Sequence, residues 1–231
     1  WPATTPVGDL SDAATHWSFQ PIRPLDPPED PGGWSKNPID RFVVSRWKKR
    51  GLRPVGLADP STLIRRVYYD LVGLLPGWKE VQAFTGNPSE EAYRELIDRL
   101  LDSPQYGERW GRHWLDLARY ADTQGGSVDC PIPAARLYRD YVIDSFQVDR
   151  PYDEFIREQI AGDLIAARNP DDRFDERVIA TGFLALSIRN GIFKHYHPEL
   201  IIEDTIDTIG RSILGMTIRC SRCHDHKVEP I

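Results

Sequence analysis

Cysteine, methionine and long apolar runs are all scarce in this sequence, and each shortage closes off a class of protein. Three cysteines in 231 residues are too few for a disulfide scaffold, and an odd number cannot all pair within one chain. No apolar run approaches the 18 or so residues that a membrane helix needs, which excludes a helical membrane span. Neither sign of charge dominates: 29 basic against 35 acidic residues give a net charge of −6. With no basic block either, a nucleic-acid partner is disfavoured. Runs of alternating strand residues and internal repeats are also missing. The chain begins at Trp1 and contains one methionine, Met216. No basic-then-apolar leader is visible. The expectation is a processed or excerpted piece of a longer polypeptide.

What is present reads as ordinary globular composition, with 40% hydrophobic, 28% charged and 10% aromatic residues. That balance rules out a disordered or collagen-like chain. Residues 1–36 are rich in proline and glycine (Pro2, Pro6, Pro21, Pro24, Pro27, Pro28, Pro31, Gly32, Gly33). Proline fixes φ and removes backbone donors, so this stretch is expected to be an extended arm. Its Trp17, Phe19 and Trp34 suggest an arm laid against the body of the protein.

Residues 37–231 read as a helical domain. Asn37-Pro38 is an N-cap followed by proline at the first helical position, and Gly51 follows the basic turn Lys48-Lys49-Arg50. Asp59-Pro60 opens a second helix that runs to Gly73. Shorter helices are predicted from Pro76-Gly77 to Phe84 and from Ser89 to Leu101. A longer one runs from about Gln105 to Asp122, with Trp110, Trp114, Leu117 and Ala121 at helical spacing. Residues 123–133, which include Cys130, read as a loop. Helices resume at about 134–147, 151–166, 174–187 and 199–217. In the last, Ile202, Ile206, Ile209, Ile213 and Met216 form one stripe, and Glu203, Asp204 and Asp207 are read as acids favoured by the helix dipole in its early turns. The predicted fold is all-α: an irregular multi-helix domain with an extended proline-rich N-terminal arm.

Cys220-Ser221-Arg222-Cys223-His224 carries the most specific chemistry. A c-type haem is attached when two thiols add across the two vinyl groups of the porphyrin, and the adjacent imidazole reaches the iron. Two other readings of the same residues stay open. Cys220 and Cys223 with two of His224, His226 or Cys130 make a zinc set, although adjacent Cys223 and His224 are awkward tetrahedral partners. A plain disulfide between Cys220 and Cys223 is the third.

Several longer runs resemble one family closely. They are His16-Trp17-Ser18-Phe19-Gln20-Pro21, Asn37-Pro38-Ile39-Asp40-Arg41-Phe42, Tyr106-Gly107-Glu108-Arg109-Trp110, the run from His113 to Thr123, and Cys220 to Lys227. Together they span residues 16–231, and they resemble the planctomycete-type secreted cytochrome-associated proteins, which share a domain of unknown function. The resemblance implies an exported, periplasmic or secreted protein, usually much longer, with further domains before and after this one. It also implies Cys220, Cys223 and His224 as a cytochrome-like motif, and it supplies no reaction. Cys130 departs from the family's usual pattern.

For a second axial ligand the sequence offers His113, which borders an apolar helical face, and His16, on the irregular arm. His226 is too close to His224 to reach the opposite face of the ring. His195 and His197 lie in a proline-bounded loop, and Met216 is assigned to the core. Asp116 and Asp122 have no partner carboxylate that sequence can place, so acid–base catalysis is unsupported. Three functions compete. The first is a c-type haem domain that transfers electrons to a redox partner domain or protein. The second is a haem enzyme with an open iron site, and the third is a zinc-stabilised polysaccharide-binding module.

Overall fold

The computed structural model describes residues 20–123, 130–168, 170–186 and 198–225. The chain divides into two compact units, Trp1–Asp59 and Pro60–Glu229, taken here in turn.

In the first unit, Asn37 caps helix α1 (Pro38–Lys49) by accepting the Asp40 N–H at 2.9 Å, with proline at the first helical position. Gly51, at φ 67°, ends it. Both signals act as the sequence predicts, because the cap satisfies an orphan N–H and glycine takes a left-handed φ without strain. Residues 20–35 carry no helix. They are tied to α1 by Asp30, whose carboxylate accepts from Ser35 N at 2.8 Å and Ser35 Oγ at 2.7 Å and pairs with Lys48 Nζ at 3.2 Å. The Ser35 hydrogen bonds hold the Asp30 carboxyl well below the usual carboxylate range. Trp34 packs on Trp47 with ring centroids 5.3 Å apart. Trp17 and Phe19 lie outside the described residues.

The second unit begins with α2 (Pro60–Leu71), α3 (Trp78–Gly86) and α4 (Glu90–Leu101). Their apolar stripes close around Ile64, Val67, Tyr68, Phe84, Leu96 and Leu100. Burying each such side chain contributes about 1.5–3 kcal/mol. A second core belongs to α5 (Pro104–Ala118), α6 (Ala135–Gln147), α7 (Tyr152–Arg168), α8 (Phe174–Ala180) and α9 (Gly182–Ala185). Its centre is Trp114, Tyr138, Tyr141, Val142, Phe155 and Phe183. Trp114 Nε1 donates to Tyr138 Oη at 3.0 Å and to Gln159 Oε1 at 2.9 Å. The indole and the fully buried amide therefore satisfy each other. Helices α5 and α6 touch backbone to backbone, since a Cβ on Gly107 would lie 2.8 Å from the Ile143 carbonyl oxygen.

One charge sits deep in this unit. Glu158 is 1% exposed and receives Tyr141 Oη at 3.0 Å, Arg150 Nη1 at 3.0 Å, Arg173 Nη2 at 2.6 Å and Arg177 Nε at 3.3 Å. Burial pushes its carboxyl pKa up against the pull of Arg150 and the Tyr141 hydroxyl. A carboxylate is tolerated at such depth because its oxygens are hydrogen-bonded and faced by guanidinium groups.

The fold is all-α, with no strand among the described residues. An isolated antiparallel bridge pairs Thr123 with Pro131, the residue after Cys130. No helix of the described residues is long and apolar enough to cross a membrane.

Three boundaries differ from the sequence expectation. Helix α5 ends at Ala118, not Asp122, because Arg119 turns left-handed (φ 60°, ψ 38°) and the Tyr120 N–H closes on Leu115 O at 2.9 Å. The predicted 174–187 helix divides at Thr181 into α8 and α9. The predicted 199–217 helix is shorter: α10 (Pro198–Ile209) widens into a π-turn at Gly210–Leu214, and Gly215 at φ 67° reverses the chain.

Candidate functional site

That reversal builds the site. After Gly215 the chain folds back along α10 and forms a short 3₁₀ helix, Ile218–Arg222. The return is tight, for a Cβ on Gly210 would lie 2.9 Å from the Ile218 side chain and 3.1 Å from Met216 O. Glycine is what lets the two segments close on each other here.

A 3₁₀ helix repeats every three residues, so positions i and i+3 stack on one side. Cys220 and Cys223 therefore share a stripe, Arg219 and Arg222 a second, and Ile218 and Ser221 a third. Both thiols are free and exposed, and the turn is closed by the Cys223 N–H on Cys220 O at 3.2 Å. His224 follows directly. Its Nδ1 lies 2.7 Å from the backbone oxygen of Asp225. A carbonyl only accepts, so Nδ1 is the donor in this contact, and Nε2 is the nitrogen left open to a metal. A hydrogen bond of this kind holds the ring of a metal-binding histidine in one orientation. The donor set fits covalent haem: two unpaired thiols on one side of a short helix, followed by an imidazole with an available nitrogen.

Behind this helix lies a cavity of about 650 Å³, walled by Ile202, Ile206, Leu214, Met216 and Ile218. Met216 thus leaves the core stripe assigned to it by periodicity, because the helix stops before reaching it. Ile209 and Ile213 do pack on the second core. The cavity is bounded by the arginine and Ile218–Ser221 stripes, so the thiol stripe faces away from it.

The acids of α10 are likewise not where a dipole argument puts them. Glu203 and Asp204 are mid-helix and Asp207 is in the last turn, where the dipole disfavours a carboxylate. Asp204 is 7% and Asp207 4% exposed. Asp204 receives Arg119 Nη1 at 2.5 Å and Nη2 at 3.0 Å, and Arg119 also donates to Thr208 Oγ1. Asp207 pairs with Arg211 at 2.8 Å. Glu203 pairs with Arg222 and, at 3.9 Å, with Arg219. Sequence reasoning missed these roles. The available signal was Glu203, Asp204 and Asp207 set among the isoleucines of the helix.

The remaining predicted ligands are scattered. His113 is exposed on α5, its ring edge-on to Trp110 at 5.4 Å. Cys130 is half-buried beside the Thr123–Pro131 bridge. His16, His195, His197 and His226 lie outside the described residues. Among the described residues no three His, Cys, Asp or Glu side chains are grouped to hold a metal ion. Asp122 accepts from the Tyr120 hydroxyl and faces Arg139 at 4.0 Å.

Fold and site together define an all-α domain that carries a surface Cys-x-x-Cys-His helix. The chain belongs to the PSCyt2 family, described as a protein of unknown function (DUF1549), whose model matches residues 38–231. The family's name associates it with cytochromes. Comparison with curated proteins and with solved structures finds no match.

Proposed function

We propose that this is an exported domain that binds c-type haem through Cys220, Cys223 and His224 and passes electrons within a larger redox protein. The observation that carries this reading is the pairing of two free, exposed thiols on one stripe of a 3₁₀ helix with an imidazole whose Nδ1 is already engaged.

Cys220 and Cys223 would each hold the haem by one thioether, with the thiol adding across a vinyl group, its proton passing to the neighbouring carbon and no electron lost. The three-residue repeat presents both sulfurs from the same side of the helix. His224 offers Nε2, and the Asp225 carbonyl restrains the ring while it does so. When bound, the haem would supply one-electron exchange at its iron. Export to the periplasm or the exterior, a redox partner domain and further domains of the same polypeptide belong to this proposal.

The test is expression with export and a haem-attachment system, followed by haem staining of a denaturing gel. Colour should stay with the polypeptide. Cys223→Ala and Cys220→Ala should each lower or abolish it. A colourless wild-type chain from a system that loads a control cytochrome would end the haem reading.

A further inference from the structure

Among the described residues, the 3₁₀ helix meets the α10 segment through Ile218 and through its two arginines. Ile218 fits the notch left by Gly210, which anchors the start of the segment. Beyond it, Arg219 and Arg222 both reach one carboxylate, Glu203 on α10. We infer that Glu203 is a positioning residue: its hold on the arginine stripe turns that side of the helix toward α10 and so presents the Cys220–Cys223 stripe and His224 outward.

Three observations support it. Arg222 stands between the two cysteines, so fixing its side chain fixes the rotation of the turn that bears them. Glu203 is 21% exposed while its partners are more than half exposed, so the carboxylate is the restrained member and the arginines are drawn to it. Glu203 also has its own support, because the adjacent Asp204 is locked to Arg119 at the end of α5. Two neighbouring acids thus face two different segments, and the orientation of the motif is referred through α10 to α5. An isolated exposed ion pair contributes little. Here two cations share one mostly buried carboxylate, and the tie is local, acting on a short segment that begins at the Ile218 notch.

As a statement about haem attachment this rests on the reading above; as a statement about the geometry of the segment it does not. The experiment is amide hydrogen exchange on the apoprotein, comparing wild type, Glu203→Gln, Arg222→Gln and the double variant. Glu203→Gln should speed exchange about fivefold within residues 218–225 and leave α5 to α7 unchanged. The double variant should exchange no faster than the faster single variant, since both remove the same interaction. High salt should move wild type toward Glu203→Gln. Unchanged exchange in Glu203→Gln, or effects of the two substitutions that simply multiply, would overturn the inference. So would a rise spread over the whole chain, which marks loss of fold rather than loss of a local tie. Haem yield is read separately. A loaded wild type with a several-fold poorer Glu203→Gln supports the positioning role. A colourless wild type overturns the haem reading and leaves the exchange data to decide this one.

Discussion

At the residue scale, buried hydroxyls set how the protein responds to alkali. Tyr68 is buried in the first helical core and donates to Glu80. Burial first, and the Glu80 carboxylate second, push its phenol from the ordinary 10.0 up to about 12. A group whose pKa is raised on folding contributes stability in full below its unfolded value, and that stability is lost as pH rises through the folded value. The Tyr68 contribution should therefore hold below about pH 10 and decline toward pH 12. Denaturant titrations of wild type and Tyr68→Phe across this range check it: the wild type should lose more stability than the variant. Parallel curves would refute the assignment. Glu80 moves the opposite way, held below its usual range chiefly by the Tyr68 hydroxyl.

At the element scale, one arginine ties α5 to α10 by side-chain hydrogen bonds. Arg119 leaves α5 in a left-handed conformation (φ 60°) and fills both oxygens of Asp204. Removing one member of a largely buried pair strands the other, which costs about 3 kcal/mol. Asp204→Ala should show a loss of this order in urea unfolding, and Asp204→Asn a smaller one. A loss under about 0.5 kcal/mol, typical of a surface site, would show that the pair is not structural.

This tie also shows where sequence reading stops. Helix starts were legible because their chemistry is local: Asn37 before Pro38, and Ser89, whose Oγ accepts the Ala92 N–H at 3.1 Å. The end of α5 was not, because Arg119 departs from helix geometry and is held by residues 85 and 89 positions away. The end of α10 was half legible. The Ile stripe was read at the right spacing, but it argued for continuation to 217, and only the close approach over Gly210 shows why the chain turns back. The cysteine motif was readable from spacing alone. Its presentation was not, since Glu203 looks like an ordinary helical acid until Arg219 and Arg222 are seen to converge on it.

At the scale of the whole molecule, the unit Pro60–Glu229 holds two separate apolar cores, one shared by α2 to α4 and one by α5 to α9. Among the links between them are Gln147 Nε2 on Asp102 O at 3.0 Å and Arg109 lying against Gly73. Cores joined this sparingly behave as distinct cooperative units, or foldons, that open at their own free energies. Unfolding of this unit should then depart from a single all-or-none step. Calorimetry should give a van't Hoff enthalpy below the calorimetric one, and amide protection in α2 to α4 should fall before that in α5 to α7. Equal enthalpies and one shared exchange rate would mean that the two cores melt as one. For a domain whose motif is anchored through α10 to α5, the practical meaning is a division of labour. The α2–α4 cluster can melt and reform, in response to heat or to a neighbouring polypeptide, while the helices that hold the thiols in place stay folded.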